Sequence, residues 1–161
     1  MAQEEISENK VTLKTGNVMV KKVITVDERA SVKEAADIMN RLEIGSVIAT
    51  RKGTPIGIIT ERDLLKRIVS KGKNAEKTAV KEVMSSPLIV ISADADLEEA
   101  ARQMFEKKIK KLAVTEQNHL VGLISLTDIA RMQPMIKVLQ KLSATQHTTK
   151  SIKKVLSSYI V

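Results

Sequence analysis

The sequence repeats itself once, without a gap, at a fixed offset of 65 positions. Residues 18–66 align on residues 83–131, and identical residues recur at matched places, among them Val18/Val83, Met19/Met84, Gly57/Gly122 and Asp63/Asp128. A fixed period of this kind indicates repeated supersecondary units that cannot each close a core alone. With two copies, a closed pair related by a pseudo-twofold axis is favoured over a solenoid.

Composition narrows the class of protein. The 161 residues are 43% hydrophobic and contain no cysteine, which excludes a disulfide, a thiolate nucleophile and a Cys-ligated metal. Phe105 and Tyr159 are the only aromatic residues, so an RNA-binding surface built on stacking is excluded. No apolar run approaches the roughly 20 residues of a membrane span, and residues 1–10 lack a signal-peptide pattern. We therefore expect a cytoplasmic protein that does not contact a membrane.

The net charge of +8 is concentrated near the C-terminus. Asp128 is the last acidic residue, and only basic charges follow it. One interpretation of residues 134–161 is a solvated, solubilising extension. The other is a contact with an acidic protein or a nucleic acid.

Both copies predict the same order of elements. A β-rich run opens each copy, and a helix follows at the N-cap candidates Ser31 and Asp96, each with Glu three residues later. Two strands and a second helix complete each unit; the strands are predicted at 23–26, 46–51, 56–60, 88–91, 111–116 and 120–125, and the second helices at 61–70 and 126–132. Pro134 is predicted to end the last of these helices.

This pattern predicts an α/β (α+β) fold: two tandem β-α-β-β-α repeats packed about a pseudo-twofold axis. The predicted boundaries are a flexible N-terminus (1–10), repeat 1 (11–70), a polar linker (71–81), repeat 2 (82–133) and a basic extension (134–161).

A chemically suggestive motif closes each repeat. Each copy has a glycine in its last strand, a hydroxyl at the start of the next helix and an aspartate three residues later: Gly57, Thr60 and Asp63, then Gly122, Ser125 and Asp128. Glycine permits close approach to the strand, and a helix start attracts anions. A carboxylate there can accept two hydrogen bonds, as the vicinal hydroxyls of a ribose would donate.

An ordinary helix cap explains the same spacing, because an acid at N3 can accept from the backbone N–H of the N-cap residue. Recurrence of the motif behind the same glycine and strand favours a binding site over a cap alone.

The pattern G-h-h-[ST]-x-x-D resembles the signature of the cystathionine β-synthase (CBS) domain, and two units in tandem resemble the CBS pair, or Bateman module. The Val18-Met19 and Val83-Met84 pairs and residues 109–114 also match the family, and the resemblance covers about residues 11–132.

The resemblance implies two clefts that bind AMP, ADP, ATP or S-adenosylmethionine, with the aspartate on the ribose and the opposite wall taken from the other repeat. The first expected cleft combines one motif with residues of repeat 2: Thr60, Asp63, Leu88, Ile89, Ile109, Lys110 and Lys111. The second combines the other motif with residues of repeat 1: Ser125, Asp128, Val23, Ile24, Ile44, Ser46 and Arg62.

Lys110 and Lys111 stand where the family often has an Arg or Lys that contacts a ligand phosphate. A phosphorylated adenosine is therefore expected in the Asp63 cleft, with weaker or different occupancy of the Asp128 cleft. The alternative for both lysines is a solvated strand end. No aromatic is available to stack on adenine, so modest affinity is expected.

The leading functional prediction is a regulatory sensor, not an enzyme, that forms a homodimer through its helices. Neither His119 nor His147 has a local metal-ligand or triad partner, so no catalytic residue, metal or obligatory cofactor is predicted. The alternatives are a nucleic-acid-associated protein that uses the basic extension, and a ligand-free dimerisation scaffold.

Overall fold

Each repeat forms one three-stranded sheet whose first two strands are parallel and whose last two are antiparallel. The structure, a computed structural model, describes residues 12–144, the last six of them by backbone alone. The strands are β1 (Thr25–Asp27), β2 (Ser46–Arg51), β3 (Thr54–Thr60), β4 (Val90–Ser92), β5 (Lys111–Glu116) and β6 (His119–Ser125). The strand orders β1-β2-β3 and β4-β5-β6 confirm the predicted pair of β-α-β-β-α repeats.

Helices surround the two sheets in matched positions. They are α1 (Thr15–Val18), α2 (Val32–Leu42), α3 (Glu61–Arg67), α4 (Val80–Val83), α5 (Leu97–Glu106) and α6 (Leu126–Ala144), with a 3₁₀ turn at Val69–Lys71. The predicted helical faces are buried: Ala35 and Met39 on α2, and Ala100 and Met104 on α5. Small alanines let both helices approach their sheets closely.

The two predicted helix caps turn out differently. Ser31 caps α2, since its Oγ accepts a hydrogen bond from the Glu34 backbone N–H at 3.1 Å. Asp96 is the N-cap residue of α5, as predicted, but its side chain makes no capping hydrogen bond and instead binds Lys14 Nζ at 2.7 Å. The Asp96 carboxylate thus forms an ion pair with Lys14 in place of a hydrogen bond to the helix backbone.

The segment that leads into each repeat packs on the other repeat. Residues 12–20, here called lead-in segment 1, pair with repeat 2. The Thr15 N–H donates to Ala95 O at 2.8 Å. Val20 and Leu123 exchange two backbone hydrogen bonds, of 2.9 and 3.0 Å.

Residues 78–85, lead-in segment 2, pair with repeat 1 in the matching way. The Val80 N–H donates to Ala30 O at 2.9 Å. Ser85 and Ile58 exchange two backbone hydrogen bonds, of 2.8 and 3.0 Å. Each half of the molecule is therefore one repeat plus the lead-in segment of the other.

The buried apolar side chains follow this exchange. Val80 and Val83 of lead-in segment 2 belong to the core of repeat 1, and Leu13 of lead-in segment 1 belongs to the core of repeat 2. Because each core contains residues from both parts of the sequence, neither repeat can bury its apolar surface alone.

The predicted helix end at Pro134 is wrong, because α6 runs through this proline to Ala144. Proline removes one hydrogen bond and bends a helix, but the helix can continue where residues beyond it are packed. Ile136, two residues further on, packs against the core of repeat 2.

An ion pair with no counterpart in repeat 2 fastens β2 to the loop after β1. The side chain of Arg51 donates to both carboxylate oxygens of Glu28, at 2.6 and 2.9 Å. This hydrogen bonding, opposed in part by desolvation, lowers the pKa of Glu28 below its ordinary value of 4.5. Ala93 and Glu116 occupy the matching positions of repeat 2.

We predict that Gly57→Ala destabilises the protein more than Gly122→Ala. A Cβ at position 57 would lie 2.8 Å from the Ser85 carbonyl oxygen, a backbone atom that cannot rotate away, whereas at position 122 its three nearest neighbours would all be side-chain atoms of Met19. Overpacking of this kind costs about 1–3 kcal/mol. Chemical denaturation of both variants measures the difference, and a larger loss in Gly122→Ala would contradict the assignment.

We also predict that Glu28 stabilises the fold at neutral pH and ceases to do so in acid. Since its folded pKa lies below 4.5, its contribution is complete above about pH 5 and disappears as the pH falls through the folded pKa. Glu28→Gln should lower the free energy of unfolding near neutral pH and flatten its decrease in acid. Glu106→Gln, exposed on α5, is the control; an unchanged acid dependence in Glu28→Gln would refute the prediction.

Candidate functional site

The motif of repeat 1 lies at the junction of β3 and α3, where Thr60 ends the strand and caps the helix. Asp63 Oδ2 accepts hydrogen bonds from the Thr60 N–H at 2.9 Å and from Thr60 Oγ1 at 2.7 Å. In return, the Asp63 N–H donates to Thr60 Oγ1 at 3.3 Å. The first two bonds orient the carboxylate through Oδ2 alone, and the third caps the helix.

The motif of repeat 2 reproduces this geometry between β6 and α6. Asp128 Oδ2 accepts from the Ser125 N–H at 2.8 Å and from Ser125 Oγ at 2.6 Å, and the Asp128 N–H donates to Ser125 Oγ at 3.2 Å. The ordinary capping role is thus present in both copies. It occupies Oδ2 alone, so it leaves Oδ1 of each aspartate for a second partner.

The second oxygen, Oδ1, has different surroundings in the two copies. Asp63 is buried, and its Oδ1 lies 3.4 Å from Ser85 Oγ and 3.5 Å from Arg67 Nη1. The half-buried Asp128 has no hydrogen-bond partner for Oδ1 within residues 12–138. The positions that match Ser85 and Arg67 hold Val20 and Met132, which cannot donate such bonds.

Arg67 has several partners on lead-in segment 2. Its Nη1 donates to the carbonyl oxygens of Val83 and Met84, the latter at 2.8 Å, and its Nη2 lies 3.4 Å from Ser85 Oγ. Arg67 therefore connects α3, the Asp63 carboxylate and the segment that leads into repeat 2.

Strand register fixes the backbone neighbours of the lysines. Lys111 pairs with Ser125 across β5 and β6, and the Leu126 N–H donates to the Lys110 carbonyl at 3.0 Å. In the other half, Ser46 pairs with Thr60 across β2 and β3. The first residue of each middle strand thus pairs with the last residue of its own hairpin partner, and contact of Lys110 and Lys111 with a ligand at Asp63 stays a prediction.

Four of the expected apolar wall residues are partly buried. Ile24 and Ile44 pack against the core of repeat 1, and Ile89 and Ile109 against that of repeat 2. Their roles as ligand contacts stay predictions, and at Asp63 lead-in segment 2 contributes Ser85 as a further neighbour.

Three predicted site residues stay near the surface. Val23 and Leu88 are partly exposed in the crossings between lead-in segments and sheets, where the Leu88 N–H donates to Ile56 O at 3.0 Å. Arg62 is exposed on the first turn of α3. Their roles as ligand contacts stay predictions.

Sequence analysis missed Ser85 and Arg67 as partners of Asp63. Arg67 follows Asp63 by four residues, the spacing at which charged side chains meet on a helix, so this pair was available as a signal. Ser85 has no comparable local signal, because it reaches Asp63 only through the exchange of lead-in segments.

A family model for the CBS domain matches residues 16–70 and again residues 80–134. The chain belongs to the CBS domain family. Its two β-α-β-β-α repeats are thus two CBS domains in tandem, and CBS pairs are generally regulatory modules that bind adenosyl ligands.

The chain is 36% identical over 127 residues to an uncharacterized protein of Methanopyrus kandleri, an alignment that covers 78% of this chain and 65% of the relative. The chain therefore spans less than two thirds of that protein. It is 32% identical over 114 residues to the CBS domain-containing protein YhcV of Bacillus subtilis, covering 71% and 81% of the two chains.

Among solved structures, a hexameric CBS-CP12 protein from bloom-forming cyanobacteria is similar at a TM-score of 0.73 and 25% identity, covering 79% of this chain and 75% of that one. Within residues 12–144, no helix combines the length and apolar character needed to cross a bilayer. Residues 145–161 lie outside the described part of the chain, so a contact of the basic extension with an acidic protein or a nucleic acid stays a prediction.

We predict that Thr60→Ala and Ser125→Ala each destabilise the ligand-free protein by about 1 kcal/mol, the usual value of a helix N-cap. Each substitution removes the acceptor of one backbone N–H and a donor to the aspartate. Arg62→Ala, at an exposed position of α3, is the control. Urea denaturation without ligand is the measurement, and stability equal to that of the control would show that the caps are dispensable.

Proposed function

We propose that this CBS pair is a regulatory module that binds an adenosyl ligand and signals by a change in packing or oligomeric contacts. The observation that carries the proposal is the duplicated hydroxyl–aspartate pair, in which hydrogen bonds to Oδ2 fix the carboxylate and leave Oδ1 for another donor. The candidate ligands are AMP, ADP, ATP and S-adenosylmethionine.

The chemistry of the pair suits a ribose. A carboxylate held in one orientation accepts hydrogen bonds from two adjacent hydroxyls without first losing side-chain freedom. With Phe105 and Tyr159 as the only aromatic residues, the adenine would rest on aliphatic side chains and backbone groups. Such a site supports modest affinity, which suits a sensor that must release its ligand when the concentration falls.

The exchange of lead-in segments could couple ligand binding to the packing of the two repeats. Ser85, on the segment that leads into repeat 2, stands beside Asp63 of repeat 1. A ligand at either motif would therefore touch chain that belongs to both repeats. It would shift the packing equilibrium by the difference between its affinities for the two arrangements.

An exposed apolar pair supports self-association. Leu65 and Val69, at α3 and the turn after it, are 61% and 67% exposed. Neighbouring apolar residues of α3 and α6 pack within the molecule instead: Leu64, Ile68, Ile129 and Met132. We propose that α3 contributes to a homodimer and that ligand binding alters this contact.

No catalytic role is part of the proposal. Asp63 and Asp128 belong to different halves, and each is held by its own helix cap, so they do not form a carboxylate pair for shared acid–base chemistry.

Isothermal titration with adenosine, AMP, ATP and S-adenosylmethionine tests the proposal, with size-exclusion light scattering in parallel. We expect saturable binding of at least one ligand, at micromolar to millimolar affinity, and a shift in oligomeric state on saturation. Absence of heat with every ligand, from protein shown to be folded and nucleotide-free, would overturn the proposal and leave a ligand-free CBS scaffold.

A further inference from the structure

We propose that two copies of this chain associate head to tail, with α2 of each copy packed against α5 of the other. This inference rests on the self-association in the proposed function and names the two surfaces that meet. It follows from charge and shape at matched positions of the two helices, which lie 65 residues apart in the sequence.

The outward faces of α2 and α5 are occupied by charged side chains. The buried residues of α2 include Ala35 and Met39, and Asp37 lies on the opposite side of the helix. On α5, Arg102 has the matching position, opposite the buried Ala100 and Met104. Each of these two charges is therefore at the centre of the face that its helix turns away from the core.

The signs of the charges are reversed between the two faces. Exposed residues spaced four apart form one stripe along each helix: Lys33, Asp37 and Arg41 on α2, and Glu98, Arg102 and Glu106 on α5. The α2 stripe reads positive, negative, positive, and the α5 stripe reads negative, positive, negative. Glu34 and Glu99 are acidic in both helices and do not contribute to the reversal. Although Lys33 and Asp37 also pair along α2 at 2.6 Å, their side chains stay half exposed and accessible to a second copy.

This reversal determines which helices can face each other. When α2 packs against α5, unlike charges meet at all three positions, and this holds in both helix directions because each stripe reads the same from either end. When α2 packs against a second α2, or α5 against a second α5, like charges meet at the same positions. Exposed ion pairs add little affinity, but like charges placed opposite one another disfavour a pairing. The stripes therefore select head-to-tail over head-to-head association.

An exposed aromatic side chain on α5 and a groove on α2 supply an apolar contact. Phe105 is 85% exposed and is the only aromatic residue within residues 12–144, and α2 has Asn40 at the matching position. A groove of about 360 Å³ lies along α2; within residues 12–138 its lining residues are Ser31, Lys33, Glu34, Asp37, Ile38 and Arg41.

Antiparallel helices bring the aromatic side chain to this groove. When Arg102 of one copy lies opposite Asp37 of the other, Phe105 comes opposite Glu34, which lines the groove. Ile38 offers the ring an apolar surface, and the neighbouring cationic side chains can interact with its face. The groove and the charge stripes thus favour the same arrangement.

The contact occurs twice in a twofold dimer, because each copy presents one α2 and one α5. The exposed Leu65 and Val69, which support self-association in the proposed function, lie on α3 and the turn after it, and α3 packs beside α2. They extend the apolar part of the same surface.

Charge exchange at the centre of the interface tests the orientation. Asp37→Arg and Arg102→Asp each place like charges opposite one another at both contacts, and we expect each to weaken dimerisation about tenfold or more. The double variant restores unlike pairs at both contacts, and so does an equimolar mixture of the two single variants, so both should dimerise like the wild type. Sedimentation equilibrium measures the dissociation constants, and circular dichroism verifies folding.

Lys52→Asp and Glu116→Arg, exposed outside both helices, repeat the two changes in net charge and should leave the dissociation constant unchanged. In a head-to-head dimer each single reversal replaces one like pair by another. Wild-type dissociation constants in both single variants, with a dimeric wild type, would therefore overturn this inference alone. A wild type that is monomeric at every concentration, with and without AMP, would also refute the self-association in the proposed function.

Phe105→Asn tests the groove, since it gives α5 the residue that α2 has at the matching position. We expect dimerisation to weaken about tenfold or more, because the aromatic side chain no longer fills the groove. Val90→Asn, at an exposed apolar residue of β4, is the control and should dimerise like the wild type. Equal dissociation constants for the two folded variants would overturn the docking of Phe105 on α2.

Discussion

The exchange of lead-in segments is the constraint on which the rest of the molecule depends. Residues 12–20 and 78–85 each complete the core of the repeat they do not precede, through backbone pairs such as Val20 with Leu123 and Ser85 with Ile58. Gly57 and Gly122 permit this contact, because a Cβ at either position would collide with the crossing segment. The glycine of each motif therefore has a structural function before any ligand is considered.

Capping uses Oδ2 of each aspartate and the proposed binding would use Oδ1, so the two roles that the sequence left open are compatible. Oδ2 of each aspartate caps its helix, and the hydrogen-bond partners of Oδ1 come from residues outside the motif. In repeat 1 this oxygen faces Arg67 and Ser85, whereas in repeat 2 the matching residues are apolar. Motifs of the same pattern and geometry thus have chemically different surroundings.

Local patterns predicted the fold well. The middle strands Ser46–Arg51 and Lys111–Glu116 have their predicted bounds, and both second helices begin at their predicted residues, because alternation and capping are encoded within a few positions. The errors arise where contacts with a distant part of the chain determine the local structure. The Asp96 side chain binds Lys14 instead of the α5 backbone, and Pro134 lies within a continuing helix.

The site was harder to predict than the fold for the same reason. The motif residues and their mutual geometry follow from local spacing, but the neighbours of each motif follow from strand register and the lead-in exchange. The exchange brings Ser85 to Asp63. This contact is not visible in the repeat itself, since it connects positions that the alignment of the two copies does not join.

The inequality of the halves bears on how a single bound ligand could affect the whole pair. Lead-in segment 1 passes the Asp128 motif at Val20 and continues directly into β1 of repeat 1. A ligand that contacts this segment therefore contacts the chain at the point where it crosses between halves. In the other half, Arg67 already holds the matching crossing in place through the carbonyls of Val83 and Met84. The two crossings are thus held by different contacts, so a ligand bound at one motif, as proposed, would act on two unequal connections between the repeats.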